Sequence, residues 1–159
     1  MKQTKLRTIA VVSACMMGML SSSAQGVMQR TANYHPDGRG FSCVNGNNRY
    51  TRALYGSVDE WRLETSDRPI FAIFKKNNHR NIRFVIKCNG QAFQLDSVEY
   101  CKARYEAGKR EYLMKDKRWG SGVLKLSVLA YPQTEGAVWK FAAENFGKAK
   151  LEIVGMICE

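Results

Sequence analysis

The side chains that could do chemistry here are a few carboxylates, two histidines and a group of aromatics that alternate with arginines. Asp59, Glu60, Glu64, Asp67, Asp96 and Glu99 are the acids on offer for glycosidic cleavage. That reaction needs two carboxyls about 5–5.5 Å apart for retention or about 6.5–9.5 Å apart for inversion. No spacing among the six fixes such a pair, and acids of this kind commonly form turns or solvate strands. His35 sits in His35-Pro36-Asp37-Gly38 and His79 in Asn77-Asn78-His79-Arg80, neither with a partner at metal-ligand spacing. There is no nucleophile elbow and no glycine-rich phosphate loop. No cofactor is implied.

Carbohydrate recognition is the better-supplied chemistry. Sugar rings present apolar C–H faces and a hydroxyl rim, which aromatic rings flanked by planar polar groups complement. Tyr50, Tyr55, Trp61 and Trp119, with Arg49, Arg52 and Arg68, cluster in turn-rich segments and are the candidate sugar contacts. Each aromatic has core packing as its commoner alternative, and Trp139, inside an alternating run, has it more strongly. Arg68, before Pro69, has the alternative of holding a loop by pairing with Asp67 or Glu64.

These groups must be positioned by strands. From Arg39 onward apolar residues recur with period two between turn residues, a strand signature. The pattern predicts strands at 40–44, 61–64, 70–76, 81–88, 91–95, 97–105, 110–114, 122–131, 137–143 and 150–157. Ile82, Phe84, Ile86 and Cys88 share one face, as do Leu124, Leu126, Val128 and Ala130. Asn89-Gly90 supplies a tight hairpin turn, because both residues tolerate positive φ. Hairpin-length loops and no helical period predict an all-β chain, an antiparallel β-sandwich. Residues 25–39 read as an extended lead-in, and residues 40–159 as the β-sandwich domain.

Residues 1–24 have a basic start (Lys2, Lys5, Arg7), an apolar run from Ile9 to Leu20 and the small residues Ser22-Ser23-Ala24. This is the pattern of a secretory signal peptide, and the run falls short of the ~20 residues of a membrane span. Val12-Ser13-Ala14-Cys15 also fits a lipoprotein box, although the hydrophobic run continues past Cys15, which favours soluble export to the periplasm or beyond. Cleavage after Ala24 removes three basic residues and lowers the net charge from +11 to +8. Most of the surplus reads as solvated strand faces. Its functional reading is attraction of an acidic polysaccharide or an anionic surface, and export places nucleic acid out of reach. Cys43, Cys88, Cys101 and Cys158 remain, with three full pairings open. Cys88 and Cys101 flank a turn region and are candidates for opposition on neighbouring strands, with burial as small hydrophobes the equal alternative.

Several motifs carry a family likeness. Within Tyr34–Lys76 they are an Asn-Gly turn, the segment Asn48-Arg49-Tyr50-Thr51-Arg52-Ala53-Leu54-Tyr55-Gly56, and Glu64-Thr65-Ser66-Asp67-Arg68-Pro69. Further along come Asp96-Ser97-Val98-Glu99-Tyr100-Cys101, Lys117-Arg118-Trp119-Gly120 and Gly136-Ala137-Val138-Trp139. Together they resemble the start of a large family of secreted bacterial proteins labelled domain of unknown function 4450. The resemblance implies the N-terminal, supersandwich-like β-region of a glycoside hydrolase that acts on polysaccharide or oligosaccharide. The catalytic carboxylates would then belong to an (α/α)6 toroid, the partner against which this β-domain packs, and this chain would not be catalytic alone. It also implies a β-domain that runs on past Glu159, so that the chain is a truncated, incomplete sandwich with a strand edge unpaired. A stand-alone exported carbohydrate-binding or surface-interaction module is the alternative. As a loop, Asn48–Gly56 would lend Tyr50 and Arg52 to the rim of a substrate cleft.

Overall fold

Alternation in this chain produces two antiparallel sheets, seen in a computed structural model that describes residues 33–47, 50–56, 61–76, 78–131 and 134–158. In chain order the strands are β1 (His35–Asp37), β2 (Gly40–Val44), β3 (Tyr50–Gly56), β4 (Trp61–Ser66), β5 (Phe71–Lys75) and β6 (Asn78–Cys88). They continue with β7 (Gln91–Gln94), β8 (Tyr100–Glu106), β9 (Lys109–Lys115), β10 (Val123–Ala130), β11 (Ala137–Glu144) and β12 (Leu151–Cys158). One sheet has the order β1-β2-β8-β9-β10-β11 and the other β12-β6-β5-β4-β3, with β7 also paired to β6. Among the described residues the only helical turns are two short 3₁₀ segments, Leu95–Ser97 and Lys117–Trp119. The signal peptide and residues 25–32 of the lead-in lie outside the described residues.

The two facing sheet surfaces make the core. Ile82, Phe84, Ile86 and Cys88 from β6 meet Leu124, Leu126 and Val128 from β10, as their period-two spacing predicts. Phe71 is the hub of the aromatic packing, edge-on to Phe84, Tyr112 and Trp139 at centroid distances of 5.7–6.0 Å. The Asn89-Gly90 turn has φ of 50° and 84°, the left-handed pair that closes the β6–β7 hairpin.

The structure corrects several predicted elements: β6 begins at Asn78 and not at 81, Leu95–Ser97 is a 3₁₀ turn with β8 starting only at Tyr100, and two segments change class. His35–Asp37 belongs to the sheet as β1, pairing Pro36 with Phe41, and is not part of an extended lead-in. Tyr50–Gly56 is a strand and not a loop. It pairs with β4 through two register shifts, between Tyr50 and Arg52 and between Ala53 and Tyr55, and those irregularities break the alternation that would have marked it.

Two polar clusters, one partly and one fully buried, tie loops to the sheets. Arg68 Nε donates to Gly46 O at 3.0 Å, and its Nη1 donates to Asp96 O at 3.0 Å and Val98 O at 2.7 Å. One guanidinium thus gathers three segments. Arg110, fully buried on the inner face of β9, donates to Ser66 O at 2.8 Å and to the Tyr34 hydroxyl, and Tyr112 OH donates to the same Ser66 O at 2.7 Å. Its Nε and Nη1 have no acceptor among the described residues.

Candidate functional site

Of the residues proposed for sugar contact, the side chains of Trp61, Arg68 and Trp119 are described, and they do not form a shared exposed surface. Arg49 lies outside the described residues, and Tyr50, Arg52 and Tyr55 are placed on β3 as backbone only. Trp61 opens β4 at 7 % exposure, and Trp119 follows β9 at 5 %. Both are core residues and offer no ring face to a ligand. Trp119 Nε1 donates to Gly122 O at 3.0 Å, and its ring packs against Phe93 and Phe146. Arg68 is committed to the three carbonyls described above. It does hold loops, though through backbone oxygens, while Glu64 pairs with Arg62 at 2.7 Å.

Of the candidate acids, the four that are described each have a separate structural setting. Asp59 and Glu60 lie outside the described residues. Asp67 is buried and accepts from Asn47 N at 3.0 Å and Ser66 Oγ at 3.2 Å. Asp96 sits in the first 3₁₀ turn, and Glu99 pairs with Lys117 at 2.6 Å. His79 stacks on Phe74, and His35 lies opposite Ser42 in β1. Cys88 and Cys101 are free thiols buried in different sheets, on β6 and β8, and are therefore not on neighbouring strands.

A concave surface does form elsewhere, on the outer face of the sheet that contains β8, β9 and β10. The register lays two rows across these strands: Arg104, Glu111 and Ser127 in one, Lys102, Leu113 and Lys125 in the other. With the edges of Tyr112 and Leu126 they line a cavity of about 240 Å³. Leu113 forms an apolar floor between two ammonium groups. Charge partners surround it: Lys102 pairs with Asp37 at 2.9 Å, Lys125 with Glu144 at 2.7 Å, and Arg104 Nη1 with both Glu106 at 2.8 Å and Glu111 at 3.2 Å.

Two carboxylates beside the trough, Glu106 and Asp37, are held ionised by its cations. The Arg104 hydrogen bond, then its charge, holds the Glu106 carboxyl below the usual range, and Lys102 followed by Ser42 does the same for Asp37. Groups held as anions accept hydrogen bonds and cannot serve as a general acid. The trough presents ammonium and guanidinium donors, one carboxylate acceptor in Glu111, one hydroxyl and one apolar patch. Its residues escaped sequence reading because three strands build it. The tight turn at Gly108, φ 74°, makes the Arg104–Glu111 pairing legible, but nothing local aligns β10 with β9.

Residues 78–156 match a family model described as a domain of unknown function, DUF4450. That segment, just under half of the chain, is similar to the DUF4450 family. The DUF4450 segment runs from the first residue of β6 into β12, so it takes strands from both sheets and includes all of the trough. The motifs at 96–101, 117–120 and 136–139 fall within it, whereas those between Tyr34 and Lys76 precede it. No curated protein and no solved structure matches the chain.

Proposed function

We propose that this chain is an exported, polysaccharide-binding β-sandwich module, the N-terminal β-domain of a glycoside hydrolase whose acid and base reside in a separate toroidal domain. The observation that carries the binding role is the trough with its Lys102–Leu113–Lys125 row. An apolar floor between two cations matches a sugar ring bearing a carboxylate, and the Arg104–Glu111–Ser127 row offers donors and acceptors to the hydroxyls. The basic surplus of the chain favours acidic glycans on approach. A stand-alone binding module would use the same trough, and the two readings differ only in whether a catalytic partner is attached.

Affinity electrophoresis tests the binding role. The chain is expected to be retarded by a polyuronate gel more than by a neutral glucan gel, and less as salt is raised. Lys102→Ala with Lys125→Ala is expected to weaken that retardation about tenfold, equivalent to roughly 1.4 kcal/mol, while leaving the urea midpoint near that of the parent. Equal migration of parent and double variant refutes the assignment. Sustained release of reducing ends by the isolated chain refutes the non-catalytic role.

A further inference from the structure

The outer face of the sheet that holds β2, β8, β9, β10 and β11 is crossed by rows of side chains aligned by the strand register. The row through the trough reads Val44, Lys102, Leu113, Lys125 and Ala142, one residue from each strand in turn. Apolar and cationic side chains alternate along it without a break. The row beside it reads Ser42, Arg104, Glu111, Ser127 and Lys140, and every member is polar. The next reads Glu106, Lys109, Leu129 and Val138, with no alternation.

The alternating row is accessible along its length. Val44 is 51 % exposed and Ala142 is exposed, while the side chains of Lys102 and Lys125 are 38 % and 46 % exposed. Their partners Asp37 and Glu144 are also partly open to water. Ion pairs in such settings contribute little, so the acid of an incoming ligand can displace them.

Spacing selects the ligand. Neighbouring strands lie about 4.8 Å apart, nearly the advance of one pyranose ring in an extended glycan. Along a strand, outward residues recur every ~6.8 Å, out of step with the rings, and on β9 they mix both signs of charge as Lys109, Glu111, Leu113 and Lys115. We propose that a glycan lies across the strands, along the alternating row, and carries its acid groups on every second residue. Uronate rings then meet Lys102 and Lys125, and uncharged rings sit on Val44, Leu113 and Ala142. The polar row alongside takes hydroxyls and amides. This inference rests on the trough as a glycan site and refines which ring there bears the acid. An acid on every ring brings further carboxylates that have no cation of their own in the row and lose water against apolar side chains, which is unfavourable.

Isothermal titration calorimetry of the full chain tests this with three extended, β-linked oligosaccharides of equal length. One alternates glucuronate with N-acetylglucosamine, one is an oligoglucuronate, and one is a neutral glucan. The alternating oligomer is expected to bind at least about tenfold more tightly than the oligoglucuronate, and the neutral one most weakly. Leu113→Lys fills the gap between the two cations and is expected to abolish or reverse that preference, with an unchanged circular dichroism spectrum. Val44→Lys, at a more exposed position, is expected to narrow it in the same direction. No binding of either acidic oligomer, or binding that Lys102→Ala with Lys125→Ala leaves unchanged, removes the trough as a glycan site and this inference with it. Equal affinity for the two acidic oligomers, with sensitivity to those lysines, keeps the trough and overturns the alternation. A preference that survives both Leu113→Lys and Val44→Lys overturns it as well.

Discussion

Asp116 shows how a single carboxylate stabilises this sandwich. Burial pushes its pKa up, but the Arg118 side chain and the backbone N–H groups of Arg118 and Glu99 outweigh that effect and bring it from 3.8 down to about 2. The Arg118 Nε and Nη2 bonds to it are both 2.6 Å. Because the folded carboxyl is the stronger acid, the unfolded chain binds more protons below about pH 5. The stabilisation is therefore complete above that pH and is lost as pH falls toward 2. Asp116→Asn is expected to cost about 2 kcal/mol at neutral pH and to flatten the acid limb of the stability profile. Urea midpoints measured from pH 7 down to pH 2 check this, and an unaltered acid limb in the variant contradicts it.

At the scale of elements, the decisive contacts run from side chain to backbone. Arg68 links the turn after β2, the turn between β4 and β5 and the 3₁₀ segment before β8. A lysine there has one compact ammonium in place of a planar fork and cannot reach all three carbonyls. Arg68→Lys is expected to destabilise the chain by about 3 kcal/mol and to speed amide exchange at residues 94–99 before any at β10. Uniform exchange across the chain would contradict the clamp.

Most strands were legible in the sequence because one face of each is buried; β10 follows its alternation from end to end and β6 does so from Ile82 onward, while Asn78–Arg80, exposed throughout, were missed. β3 was not legible, since its register shifts interrupt the period. Trp61 and Trp119 take the commoner of the two roles the sequence left open to them: turn-rich surroundings made them candidates for sugar contact, but each ring packs in the core. The trough was hidden for a different reason. Its six principal residues come from three strands, and neither their spacing nor their types reveal a surface that exists only once β10 lies beside β9.

The whole molecule is reported by its thiols. Cys43, Cys88 and Cys101 are buried and reach the core from both sheets, whereas Cys158 is half-buried on the border strand β12. Burial raises the Cys43 thiol and pushes Cys101 up to about 12. The folded state thus keeps a proton that the unfolded chain loses above about pH 9. Stability is expected to fall as pH rises from there toward 12. At pH 8, iodoacetamide is expected to label Cys158 ahead of Cys43, Cys88 and Cys101, whose labelling should track global unfolding in urea. Rapid native labelling of Cys101 would contradict this picture.

The pairing of β2 with β8 sets how quickly all of this can form. Val44 meets Lys102 across a long intervening stretch that includes most of the second sheet. Contacts so distant in sequence close late, and sheets dominated by them fold in milliseconds to seconds. A polypeptide that delays its own collapse in this way stays threadable for longer, an advantage for any chain that must pass through a narrow translocation pore before it takes shape.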